Sequence, residues 1–284
     1  MNTSSPHLSR SLVAGLLTAL FGPCAGTASA QVGMQQMQVG AMAVTLIYPT
    51  TSVASTQTLG PFSIDVDLGA PALEKRQRLI VMSHGSGGSP LADHALAAAF
   101  AKEGFVVAQP LHEGDNYRDQ RLAGPDTFVK RPGEVTQVID ALANNPRWSG
   151  RLALDQVGVH GMSAGGVTGL SLAGAQWRLL DLLRHCKAHA KDDEAFCFQG
   201  ANSAAARAER QAAFDITDKT PEADLPAELT AWHGGRSPEA PQADPRPDVR
   251  IAAVTLAVPV AAIFSAESLA RIRIPVGVVG AQRD

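Results

Sequence analysis

Aromatic residues are scarce, at 5% of 284 residues, so the core must rest on Ala, Val, Leu and Ile rather than on packed rings. A surplus of either charge is also missing. Twenty-four Lys+Arg stand against 27 Asp+Glu, a formal charge of −3, without the basic excess that a phosphate backbone requires of its partner, which excludes nucleic acid. Charged residues make up only 18% and apolar residues 45%, which excludes a disordered chain and a coiled coil. Glycine (26) and proline (18) are plentiful, so tight turns must be many. The length suits one large α/β domain or two small ones.

The first 30 residues hold Arg10, the apolar run Leu12 to Phe21, and Ala28-Ser29-Ala30 before Gln31. This predicts a cleaved signal peptide over 1–30 and an exported mature chain over 31–284, with no stable membrane anchor, since the run falls far short of the roughly 20 residues that span a bilayer. Cleavage removes Cys24 and leaves Cys186 and Cys197. Two cysteines in an exported chain predict one disulfide, with two reduced thiols as the alternative.

Ala41–Tyr48 and Phe62–Asp67 alternate like antiparallel strands, whereas Leu79–Met82 is continuously apolar and needs cover on both faces, as in a parallel sheet. The pattern continues as a helix over 91–102, a strand over 105–108, a helix opened by Pro132 over 132–143, a strand over 157–160 and a helix over 166–175. Strand and helix in alternation imply right-handed crossovers and a mostly parallel twisted sheet with helices on both faces. The rhythm breaks over about 176–250, read as a cap-like insertion that shapes a substrate pocket. It resumes with strands over 251–256 and 274–279 and a short helix near 267–270.

Gly161-Met162-Ser163-Ala164-Gly165 fits G-x-S-x-G, with a buried strand before it and a small-residue helix after it, the context that makes this motif a nucleophile elbow. Ser163 is the candidate nucleophile. Acyl transfer also needs amides aimed at the developing oxyanion, and two sources present themselves: Ala164, at a helix N-terminus, and Ser86, in the turn His84-Gly-Ser-Gly-Gly88. Read as a dinucleotide fingerprint, the same turn fails, because the sixth position is Pro90 and the following strand ends in Gln109 rather than an acid. No cofactor is expected.

Tyr48-Pro49, Ser83-His-Gly-Ser-Gly-Gly88, Arg131-Pro132, Gly161-Met-Ser-Ala-Gly-Gly166, the pair Cys186/Cys197 and Ile274-Pro-Val-Gly-Val-Val-Gly-Ala-Gln-Arg-Asp284 together resemble α/β-hydrolases. The group they resemble is that of the secreted "predicted dienelactone hydrolases", related to platelet-activating-factor acetylhydrolases. The elbow carries Ser where dienelactone hydrolases proper carry Cys, so the resemblance implies a serine esterase acting on a small-molecule ester. It also implies Asp284 as the triad acid. Family order is Ser, acid, His, so the final strand and the catalytic histidine are expected beyond Asp284, and the sheet is expected to lack its last strand and expose an edge.

Among the histidines present, His233 could fold over the site from the insertion, His84 fits a turn-stabilising role, and His160 fits a core position. His94 and His112 carry no signal. His185 and His189 have the i,i+4 spacing of a metal pair but lack a third ligand, so no metal is assigned.

Overall fold

The computed structural model describes residues 31–234 and 247–281. The proposed leader, part of the Pro-rich segment and Asp284 lie outside the described residues. Nine strands form one sheet in the order β3-β4-β1-β2-β6-β5-β7-β8-β9. They are β1 (Gln31–Val39), β2 (Met42–Thr50), β3 (Ser55–Leu59), β4 (Phe62–Leu68), β5 (Gln77–Ser83), β6 (Val106–Pro110), β7 (Leu152–Met162), β8 (Ile251–Ala257) and β9 (Val276–Val279). β6, β5, β7, β8 and β9 run parallel, while β2 joins β6 antiparallel and pairs with β1 as a hairpin.

The continuous apolar run of β5 is used on both faces. Leu79 and Val81 pack in one cluster with Val135, Val138, Ile139 and Val167, from α2 (Pro125–Asn144) and α3 (Ala164–Leu172). Ile80 and Met82 pack in another with Ala97 and Ala101, from α1 (His94–Lys102). Side chains two apart on a strand share a face, so this run needs helices above and below.

Strands β1 and β3 escape the sequence pattern, and helix α2 begins at Pro125 rather than Pro132. Gly124, at φ 111°, turns the chain into the helix and Pro125 sits in its first turn, where no N–H is needed. Pro132 lies inside, where it removes a hydrogen bond to the carbonyl four residues back. Burial of Arg131, Pro132, Gly133 and Glu134 keeps the helix running through it.

The insertion contributes α4 (Leu179–His189), α5 (Glu194–Cys197), α6 (Ala204–Lys219) and α7 (Ala227–Thr230). Cys186 and Cys197 are joined by a disulfide and share a small core with Leu183 and Phe214. After β8 come a single 3₁₀ turn at Ala261–Ile263 and α8 (Ala266–Leu269) before β9, whose Val278 and Val279 are exposed at the sheet edge.

From β5 the chain crosses to β6 on one side and then, through α2, back past β5 to β7 on the other. The carboxyl ends of β5 and β7 therefore meet at the point where the winding reverses, which is where open α/β sheets build their sites. With the elbow in that crevice, this is an α/β-hydrolase fold.

Candidate active site

Ser163 connects β7 to α3 with φ 52° and ψ −114°. A side chain at positive φ stores strain, and such strain concentrates at functional turns. Its neighbours explain the glycines. A Cβ on Gly161 would lie 2.0 Å from the Gly165 carbonyl oxygen, one on Gly165 would lie 1.9 Å from that of Ser83, and one on Gly166 would lie 2.5 Å from the Pro259 side chain. No other residue fits these positions without moving backbone.

The turn after β5 lies directly against the elbow. A Cβ on Gly85 would stand 3.0 Å from Met162 Cε and 3.5 Å from Ser163 Cβ. Among the described residues, the amides of Ser86 and Ala164 have no hydrogen-bond partner, whereas the amide of Gly87 donates to Asp115 Oδ1 at 2.8 Å and that of Gly88 to Gly85 O at 3.1 Å. The Ser86 hydroxyl also donates to Asp115 Oδ1, at 2.7 Å.

The turn is held by a buried ion pair that sequence reasoning missed. Arg131 and Asp115 both have fully buried side chains and meet at 2.7 Å. The guanidinium also donates to the carbonyls of His84 and Asp115 and to Thr127 Oγ1. Burial pulls the Arg131 pKa down to about 10, opposed first by Asp115 and then by Glu134, so the charge survives at neutral pH.

A second buried series lies beneath the elbow. His112 Nδ1 lies 2.6 Å from Glu134 Oε2 and its Nε2 lies 2.8 Å from Ser83 Oγ. Burial, reinforced by Arg131, pushes His112 well below the usual imidazole range, while burial raises Glu134. A neutral His112 thus donates its Nδ1–H to Glu134 and accepts from the Ser83 hydroxyl. The order Ser, His, acid imitates a triad, but Ser83 and His112 are 2% and 0% exposed, so the series braces β5 against α2.

His84, His160 and His233 are each engaged away from Ser163. His84 Nδ1 lies 2.7 Å from Gly85 O and its Nε2 accepts from the His112 amide at 3.3 Å, which is the turn-stabilising role expected of it. Burial, then repulsion from His112 and Arg131, lowers it to about 3. His160 bonds Thr255 Oγ1 at 2.9 Å. His233 stacks on Trp177, with ring centroids 4.7 Å apart, and its backbone bridges that residue. Among the described residues no histidine is hydrogen-bonded to Ser163. Asp284 lies outside the described residues.

The insertion covers a cavity of about 580 Å³ lined by Pro125, Val129, Trp177, Leu179 and His233, with Asp126 and Glu228 as its acids. Neither Ser163 nor the 84–88 turn lines it. The expectation that the insertion shapes a pocket at the nucleophile is therefore not met by this cavity: Trp177 packs on Phe128 of α2 and draws the insertion along that helix.

No protein-family model matches the chain, and no curated protein matches it. Among solved structures, the chain is similar to a ferulic acid esterase from Streptomyces cinnamoneus at 20% identity and a TM-score of 0.42, over 52% of this chain and 55% of that one. It is also similar to a dienelactone hydrolase from Anabaena variabilis at 18% identity and a TM-score of 0.36, over 51% and 58%. The chain thus spans little more than half the length of the solved structures it matches. The chain's own strand order and elbow define its fold.

Proposed function

We propose that this is an exported serine hydrolase that cleaves carboxylic esters of small molecules by acyl transfer. The observation that carries the reading is the strained Ser163, at φ 52°, set against the Gly85 turn at the facing ends of β5 and β7. In this reading the Ser163 hydroxyl attacks the ester carbonyl, and the amides of Ser86 and Ala164 receive the oxyanion. The alcohol leaves, and water then releases the acyl group from Ser163. Asp284 is assigned to orient the imidazole that takes the Ser163 proton, a base other than the engaged His84, His112 and His160. The reading invokes no cofactor. The signal-like leader over 1–30, the disulfide, and the lack of any helix among the described residues long and apolar enough to cross a membrane accord with export of a single domain over 31–284. The sequence resemblance to secreted dienelactone-hydrolase-like proteins supports the same chemistry.

A second reading, a hydrolase-like protein that binds ligands without turnover, is favoured by one observation: no described histidine reaches Ser163. Turnover of a short activated ester by the chain and by Ser163→Ala, with both shown to be folded by circular dichroism, separates the two. Turnover that Ser163→Ala abolishes supports the esterase. Full activity in Ser163→Ala overturns it, and a folded chain that neither turns over ester nor takes an organophosphate on Ser163 supports the second reading.

A further inference from the structure

The cavity of about 580 Å³ lies between the first turns of α2, the entry to α4, and α7 with the residues that follow it. Its volume is that of a small-molecule site, and its walls are mostly apolar, as such walls are. Two residues that line it, Trp177 and His233, each bury a nitrogen without a hydrogen-bond partner: Trp177 Nε1 and His233 Nδ1. Trp177 is only 1% exposed. Buried polar atoms are nearly always paired, so an orphan beside a cavity marks a place for a polar atom of a ligand. An indole N–H can only donate, and it calls for an acceptor oxygen.

The aromatic wall is fixed in place. The amides of Trp177 and His233 each donate to the other's carbonyl at 2.8 Å, their rings stack, and Phe128 meets Trp177 edge-on with centroids 5.8 Å apart. The charge of the lining has one sign. Asp126 and Glu228 are exposed on it, and among the described residues neither forms an ion pair. Cations nearby are engaged elsewhere: Lys130 with Glu113, Arg131 with Asp115, and Arg178 with Asp181 and Glu222. Burial lowers the His233 pKa, which leaves its imidazole neutral at pH 7. The lining thus carries two negative charges and no positive one.

We infer that this cavity binds a small organic cation with an apolar body. Its ammonium group lies at the Asp126 and Glu228 rim, its ring or chain packs on Val129, Leu179 and Trp177, and an acceptor oxygen takes the Trp177 indole N–H. The two carboxylates select against an anion of the same shape. The site involves none of the residues assigned to ester hydrolysis and stands whether or not that reading does.

The test uses the full-length chain and dansylcadaverine, which joins a naphthalene ring, sulfonyl oxygens and a primary ammonium without any ester bond and brightens on leaving water. N-pentyl dansylamide and dansyl-aminocaproate keep the ring and end in a neutral and an anionic group. Saturable binding is expected, tightest for the amine and weakest for the carboxylate. Asp126→Asn and Glu228→Gln should each weaken the amine about twofold to fivefold, as loss of an exposed ion pair does, and leave the neutral analogue unchanged. Trp177→Phe keeps an aromatic wall without the N–H and should weaken all three about twofold to tenfold. Circular dichroism confirms that each variant keeps its fold. No saturable binding at millimolar amine, equal affinity for amine and carboxylate, or an amine affinity unchanged in the double variant Asp126→Asn/Glu228→Gln overturns the site. Affinities unchanged in Trp177→Phe overturn the indole contact.

Discussion

Removing one partner of the Arg131–Asp115 pair should destabilise the fold far more than removing both. The two charges meet at 2.7 Å with no solvent exposure of either side chain. In Arg131→Met, the Asp115 carboxylate keeps its bonds from Ser86 and Gly87 but loses its counter-charge, and the His84 carbonyl loses a donor. In Asp115→Asn, the guanidinium keeps its carbonyl partners but has only the more distant influence of Glu134 to favour its charge. An uncompensated buried charge costs about 3–5 kcal/mol, against a total stability of about 5–15 kcal/mol for most domains. The double variant Asp115→Asn/Arg131→Met leaves neither charge behind, so its loss should fall well short of the sum of the singles. Urea unfolding of all four proteins measures this, provided the slope with denaturant stays constant. Additivity within about 0.5 kcal/mol would refute the coupling. Under the proposed chemistry, the singles should also lower the rate of Ser163 acylation, because both residues fix the turn that carries the Ser86 amide.

Gly165→Ala should fail to accumulate as folded protein or lose about 3 kcal/mol or more, because the new Cβ would sit 1.9 Å from the Ser83 carbonyl; wild-type thermal stability would refute the close approach. Stability should fall on acidification from about pH 7 to about pH 5, because His84, lowered to about 3, and the likewise lowered His112 stay neutral in the fold while unfolded imidazoles take up protons below about pH 6.5. Each adds a slope of about 1.4 kcal/mol per pH unit. Glu134, raised by burial, binds its proton earlier in the fold than in the unfolded chain and opposes part of that slope. A flat profile of urea midpoints across this range would contradict neutral burial of the histidines. Replacing both Cys186 and Cys197 by Ser should cost about 2–3 kcal/mol, from closure of a loop with sequence separation 11; an unchanged melting temperature would sink the entropic account.

The parallel centre of the sheet was legible because β5 is apolar at four consecutive positions, Leu79 to Met82, and only a strand covered on both faces can carry such a run. The elbow was legible because its glycines bracket Ser163 in a five-residue motif; a Cβ on Gly161 would meet the Gly165 carbonyl four residues on, whereas the contact that dictates Gly165 is with Ser83 on the neighbouring strand and was not legible. The disulfide followed from two cysteines in a chain with a signal-like leader. Strand β1 was not legible, since Gln35, Gln36 and Gln38 mask its period, and its place is decided by pairing with β2. The start of α2 was misplaced because Pro132 reads as a boundary, whereas burial against the sheet carries the helix through it.

What only the tertiary structure decided are the contacts between distant segments. Arg131 and Asp115 are 16 residues apart, His112 and Glu134 are 22 apart, and Ser83 and His112 are 29 apart. No spacing rule links such positions. Ser83 and His112 meet because β5 and β6 are neighbours in the sheet, and Arg131 and Glu134 reach Asp115 and His112 because α2 crosses from one side of β5 to the other. Local periodicity and turn chemistry are written in neighbouring residues, whereas the partners of a buried charge depend on which elements the sheet order brings together.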